Sequence, residues 1–390
     1  MTTARLYYQD AYTHAFDARV VDKTDGGKRV YLDKTYFYPT SGGQPHDTGA
    51  LSGAAVAEVI DEGDRIAHVL SEPLEGDVVQ ARIDWNRRFD HMQQHSGQHI
   101  LSAVFLERFG FETLSFHMGA EVSTVELGTK EITPEQSAAA EERVNEIVRA
   151  AVPLLVSFED AASVQALRKE SRRSGTLRIV EIRDIDRSAC GGTHVRTTAE
   201  IGSVQIRGSE KVRGNVRIEF ICGIRALRRA RRDYQILAEL ARQNAVPPEQ
   251  LVESFASVRE RLVEGERDRE KLRTQLARLE ADASYRATAT SPDGMRRLLL
   301  HAPALDESSR LAAIAFAAHP KAICMVVAEE PVSVLVACSA DSGVNAGAVL
   351  KAILSERGGK GGGSATLAQA KLQHKDHLRA VQDAFGFTAP

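Results

Sequence analysis

The chain has 390 residues, 43% of them apolar, which is enough for real cores; the length alone suggests about two to four domains. Fifty basic against 53 acidic side chains leave a net charge of −3, so any nucleic-acid contact must come from a local basic patch. The cysteines at 190, 222, 324 and 338 form no C-x-x-C pair, and with no signal-peptide pattern and no membrane-length apolar run the expectation is a reduced, cytoplasmic protein without a membrane segment.

Residues 1–85 read as β. Runs such as "RVYLD", "AVAEVI", "RIAHVL" and "DVVQARID" are separated by turn signals such as "DKTDGGKR" and "HDTGALSG". Short strands at this spacing suggest a small β-barrel, with an open sheet as the alternative.

Residues 86–222 are mixed α+β. "FDHMQQHSGQHILSAVFLERFG" has helical spacing and stops at Gly110. Thr133, Pro134 and Gln136 spell a capping box with proline at the first helical position. "LLVSF", "RIVEI", "GSVQIR" and "NVRIEFI" follow as strands.

Residues 223–288 read as a helical spacer, interrupted by Pro247-Pro248. Leu251, Phe255, Val258, Leu262, Gly265, Arg269, Leu272, Leu276, Leu279 and Ala283 alternate steps of four and three, a coiled-coil spacing. Gly265 and Arg269 weaken its middle, so a helical hairpin fits equally well. Residues 289–390 read as an α/β domain. Its strands are "RRLLLHA", "AICMVVA" and "VSVLVAC"; "SSRLAAIAFAAH", "AGAVLKAILSER" and "ATLAQAKLQHKDHLRAVQDAF" read as helices.

Chemistry concentrates in two places. His95 and His99 lie four apart on the expected helix, where side chains share a face with Cβ atoms about 5–6 Å apart. His91 and His95 have the same spacing, so the register is open at this point. "CGGTH" supplies Cys190 and His194, with two glycines that let a thiolate and an imidazole converge. Together His95, His99, Cys190 and His194 make a four-donor set, and thiolate with imidazoles favours Zn2+ over magnesium or calcium. A zincin protease does not fit, since Ser96 stands where H-E-x-x-H needs its glutamate.

"HSGQHILSAVF" with "RSACGGTHV" resembles the editing domain shared by alanyl-tRNA synthetases and the free-standing AlaX proteins. "TYFYPTSGGQPHDTG" is similar to that family's glycine-glycine-glutamine loop, and "ERGGKGGGSATLAQA" resembles the C-terminal glycine-rich domain of the synthetases. The aminoacylation domain is missing from the resemblance, which points to the long form of AlaX. The resemblance selects His95 and His99 over His91 as ligands and implies hydrolysis of Ser-tRNA(Ala) or Gly-tRNA(Ala). It assigns Gly42, Gly43 and Gln44 to the ester or its attacking water, Thr35 to the serine hydroxyl, and sets His117 where a proton shuttle could stand. The partner it implies is tRNA(Ala), with a homodimer or a tRNA-elbow contact through the C-terminal domain.

Basic candidates for the tRNA are Arg225, Arg228, Arg229 and Arg232 in "RALRRARR", Lys211 and Arg213 in a glycine-flanked loop, and Lys360 in "GGKGGG". The last reads as a loop before a helix, able to cradle a phosphate but lacking a P-loop's ending. Two other readings compete with the hydrolase. One is a zinc-containing tRNA-binding module without catalysis; the other is a deacylase of another mischarged tRNA, such as the threonyl system.

Overall fold

The computed structural model describes residues 2–170 and 174–387. Its contacts divide the chain into two compact units, Met1–Leu240 and Ala241–Pro390.

In the first unit, six strands close into a barrel. Their order around it is Ala15–Thr24, Arg29–Leu32, Ile66–Leu70, Ala54–Asp61, Gly49–Leu51 and Val78–Ile83. Strict alternation builds it: Val79, Ala81 and Ile83 point inward while Val78, Gln80 and Arg82 face out. Val30, Leu32, Phe37, Leu51, Val59 and Ile66 fill the interior. The sequence allowed a barrel or an open sheet; closure leaves no free edge.

Helix α1 (Trp85–Phe109) follows the last barrel strand directly. Asp84 caps its start by accepting from Arg87 N–H, and Gly110 ends it in a left-handed conformation. Residues 91–105 are all buried, although this stretch carries three histidines, three glutamines and two serines. A polar helix inside a protein needs a partner for each polar group. Gln93 donates to the Glu200 carbonyl and Gln94 to the Cys222 carbonyl. Gln98 donates to Ser102.

Two sheets lie around α1. One has the order Val204–Val212, Asn215–Cys222, Ser123–Leu127, Thr113–Met118, and the other Leu154–Asp160, Thr176–Ile182, Asp186–Ala189. Helix α2 (Pro134–Arg149) starts with the expected capping box and joins α1 in one apolar core with Ile100, Val104, Phe105, Val144 and Ile147. Helix α3 (Gly223–Asn244) follows the strand ending at Cys222.

A buried ion pair pins the loop before the barrel's fifth strand to α1. Arg88 pairs with Asp47 with both side chains wholly buried, and it also donates to the carbonyls of Ala11 (2.8 Å) and Tyr36 (2.5 Å). Asp47 in turn accepts from Tyr38 N–H at 2.6 Å. Both ends of the Tyr38–Asp47 loop are thereby fixed over the helix.

The second unit is a five-stranded sheet in the order Arg296–Ala302, Ala322–Glu329, Val332–Cys338, Leu367–Lys371, Lys360–Gly363. Only its first pair is parallel. Helices α4 (Leu251–Ala287) and α5 (Glu307–Ala317) share a core on one face with Ala322, Cys324 and Val326. Helices α6 (Ala346–Arg357) and α7 (His377–Ala384) pack on the other with Ile323, Met325 and Val327. Helix α4 docks through Ala277 and Ala281 and leaves the heptad residues Phe255, Leu262, Leu272, Leu276 and Leu279 exposed.

Two expectations fail in this unit. "GGKGGG" is an edge strand rather than a loop before a helix, and "ATLAQAK" contributes a strand to the sheet, leaving only His377–Ala384 helical. Alanine's helix propensity misleads here. Ala368 and Ala370 alternate buried with exposed Gln369 and Lys371, a period of two that the sheet imposes.

Candidate metal centre and its cleft

Helix α1 carries His95 and His99 one turn apart, and the loop after strand Asp186–Ala189 carries Cys190 and His194. One ligand atom from each of the four lies within 4.8 Å of all the others. The Cys190 Sγ is 3.4 Å from His95 Nε2 and 3.3 Å from His194 Nε2. Tetrahedral zinc, with Zn–N about 2.0–2.1 Å and Zn–S about 2.3 Å, sets nitrogen and sulfur ligands about 3.5 Å apart.

The other ring nitrogens are already held. His95 Nδ1 meets Gln44 Oε1 at 2.8 Å, His99 Nδ1 meets Asp186 Oδ2 at 2.6 Å, and His194 Nδ1 meets Ser96 Oγ at 3.1 Å. Such partners fix ring orientation and tautomer around a metal. The donor set and its supports therefore fit a zinc ion.

Electrostatics agree. Burial opposes ionisation of Cys190, but the facing imidazoles of His95 and His194 overcome it and hold the thiol well below its usual range. Burial likewise opposes charge on His99, yet Asp186 and Cys190 raise it to about 9. His194 is pushed down to about 3 by burial, so it is neutral. Burial opposes the Asp186 charge too, but His99 and Arg168 lower its pKa to about 2.

Two glycines make the approach possible. A Cβ on Gly192 would strike the His95 imidazole, and one on Gly43 would lie 2.5 Å from the Phe116 carbonyl oxygen. Gly42 and Gly43 have φ of 57° and 84°, the centre of a tight turn closed by bonds between Ser41 and Gln44. Met118 N–H donates to the Gly43 carbonyl at 3.0 Å, tying the turn to the adjacent sheet.

The cluster sits at the side of a cleft of about 510 Å³ lined by Tyr7, Tyr8, Tyr38, Gly42, Phe116, Arg178 and other residues. Gly42 faces this space; the other loop and strand candidates do not. Gln44 is wholly buried. Its amide donates to Thr193 Oγ1 at 2.8 Å and accepts from Thr193 N–H at 3.1 Å as well as meeting His95. It joins the turn, the helix and the cysteine loop and is not among the residues lining the cleft.

Thr35 is also wholly buried, its hydroxyl bonded to His68 Nε2 (2.9 Å) and to Phe37 N–H (3.1 Å) inside the barrel. It is not part of the cleft lining. His117 is exposed and off the lining, because strand alternation turns Phe116 toward His95 and His117 away. His91 is buried with its Nδ1 unpartnered, and lies outside the four-donor set.

Among the basic candidates, Arg225 is committed to Asp90 (2.7 Å) and the Gly119 carbonyl (2.8 Å). Arg229 pairs with Asp233 at 2.8 Å. Arg228, Arg232 and Lys360 are exposed, and Lys211 and Arg213 lie exposed at a hairpin end. The residues that sequence reading missed are Asp186, Ser96, Arg168 and Arg178. Ser96 stands inside "HSGQH" and Asp186 four positions before Cys190 in "DRSAC", while no motif marks Arg168 or Arg178.

Residues 177–219 match the "Threonyl and Alanyl tRNA synthetase second additional domain" family, and residues 306–386 match the DHHA1 domain family. The alanyl-tRNA editing protein AlaX-L of Pyrococcus horikoshii is 32% identical over 394 residues, covering 95% of each chain. An alanine–tRNA ligase of Pyrobaculum calidifontis is 33% identical across 94% of this chain and 42% of its own length. The alanyl-tRNA editing protein Aarsd1 of Danio rerio is 36% identical over 58% of this chain, which spans 60% of that relative.

A barrel whose glycine turn closes over a three-histidine, one-cysteine cluster thus belongs to the class of synthetase-related editing modules. More narrowly, the chain belongs to the family of free-standing alanyl-tRNA editing proteins, in the long AlaX form. No helix among the described residues is long and apolar enough to cross a membrane.

Proposed function

We propose that the protein is a zinc-dependent trans-editing deacylase that hydrolyses the ester of serine or glycine wrongly attached to tRNA(Ala). The observation that carries this reading is the convergence of His95, His99, Cys190 and His194 beside an open cleft.

The physical need for a second site is plain. A pocket built for alanine excludes glycine poorly, since one methyl is worth only about 1–3 kcal/mol, and it rejects an added hydroxyl no better. A zinc ion on these four donors would supply Lewis-acid positioning of the aminoacyl end. His95, His99 and His194 are held for that task by Gln44, Asp186 and Ser96. Gly42 brings its backbone to the cleft, suited to an oxygen that gains charge as the ester is attacked. Gln44 keeps that turn and His95 in register. Arg228, Arg232, Lys211, Arg213 and Lys360 remain the exposed cations for the tRNA backbone.

The test is deacylation of Ser-, Gly- and Ala-tRNA(Ala) by the full chain, with metal content measured in parallel. The first two should be hydrolysed and the third spared, and Cys190→Ala should lose both metal and activity. Equal hydrolysis by Cys190→Ala would remove zinc from the mechanism. A wild-type protein that binds tRNA but deacylates nothing would favour the non-catalytic binding module.

A further inference from the structure

The cleft does not end at the metal ligands. Phe158 lines it on the edge strand Leu154–Asp160, and the side chain is exposed although aromatic, with 52% of its surface open. The strand register sets Phe158 directly opposite Arg178. On the far side of Arg178, Cys190 N–H donates to the Arg178 carbonyl at 3.0 Å. Phe158, Arg178 and Cys190 therefore form one row across three strands, and at about 4.8 Å per strand the row places Phe158 about 10 Å from the cysteine. Arg178 is fixed between them, donating to the carbonyls of Tyr8 (2.9 Å) and Cys190 (2.7 Å).

Cations and anions are unevenly available around this row. Arg168 is tied to Asp186, and Asp61 to Arg5. Lys169 lines the same cleft and is exposed, as is Glu170 beside it. An aromatic face with a cation nearby is how proteins hold unpaired bases without reading sequence.

We propose that Phe158 is the stacking platform for an unpaired base at the acceptor end of the tRNA, with Lys169 on the adjoining phosphate, so that the ester is delivered to the metal cluster along the Arg178 row. The platform rests on the hydrolase reading for the identity of its ligand and explains why an aromatic side chain stays bare on a sheet edge. It makes Phe158 a binding residue that acts on substrate capture, separate from the groups around the ester.

The experiment uses the full chain with zinc, and two readouts. One is binding of the trinucleotide CCA carrying 2-aminopurine as its last base, followed by fluorescence quenching. The other is steady-state deacylation of Ser-tRNA(Ala). Base stacking on one aromatic corresponds to about 5- to 150-fold in affinity. Phe158→Ala should lose the quenching and raise KM at least fivefold with a smaller fall in kcat, and Phe158→Trp should restore both. Lys169→Ala should flatten the salt dependence of binding. Unchanged quenching and KM in Phe158→Ala, with zinc content equal to wild type, would overturn the platform. A wild-type protein that quenches but deacylates nothing would overturn the hydrolase reading and keep the platform; one that neither quenches nor deacylates would overturn both.

Discussion

Replacing Asp186 by asparagine probes the metal centre from one step outside it. The Asp186 side chain is wholly buried and accepts from His99 Nδ1 (2.6 Å), Arg168 Nε (2.5 Å) and Ser188 Oγ (3.0 and 3.1 Å). An asparagine of the same shape keeps one acceptor oxygen and turns an NH2 toward the second cluster of donors. Either His99 or Arg168 then faces a donor instead of a charge. Losing a carboxylate behind a metal-bound histidine costs about 10–100-fold in metal affinity, or about 1.4–2.7 kcal/mol. The assay is competition for zinc against a chromophoric chelator of known affinity, above pH 9 so that no His99 proton competes with the metal in either protein, with circular dichroism to confirm that the fold persists. Wild-type affinity in a folded Asp186→Asn protein would refute the assignment of Asp186 as the support of His99, and with it the claim that His99 uses its other nitrogen for the metal.

Three further outcomes are expected. Metal binding should release the His99 proton at neutral pH, because burial is outweighed by Asp186 and Cys190, which keep His99 protonated below about 9 in the metal-free protein. Zinc affinity should therefore climb as pH rises from 7 to 9 and level off above; a flat profile, or a calorimetric enthalpy independent of buffer, would contradict this. Thr35→Val should destabilise the barrel by about 1–3 kcal/mol, since it orphans buried partners at His68 and Phe37, and urea unfolding measures it. If Thr35 acted by touching substrate, the loss would appear in catalysis with stability intact. His117→Ala should deacylate at close to the wild-type rate, because the side chain is exposed and off the cleft lining; a tenfold fall would restore it as a proton shuttle.

The sequence carried the local parts of this protein because those parts are locally determined. The capping box at Thr133, the stop at Gly110 and the alternation of the barrel strands are short-range physics, and each was legible in a few consecutive residues. The four-residue cluster was legible too: one cysteine and three histidines at helical and glycine-loop spacings come together as a set that could hold a metal. Residue roles were less so. Gln44, Thr35 and His117 all read as substrate-facing, yet two are buried and one points away from the cleft.

The burial of Thr35 and Gln44 depends on contacts 33 to 149 positions apart in the chain. Gln44 reaches Thr193, and Asp186 reaches His99 across 87 positions. The "ATLAQAK" segment adopts a strand because a neighbouring strand is there to accept it, against the helix preference of its alanines. Sequence by itself determined which atoms can bind a metal and where chain direction changes. Tertiary structure decided which polar groups spend their hydrogen bonds on each other and which stay open to a ligand, since burial and pairing exist only once distant segments meet.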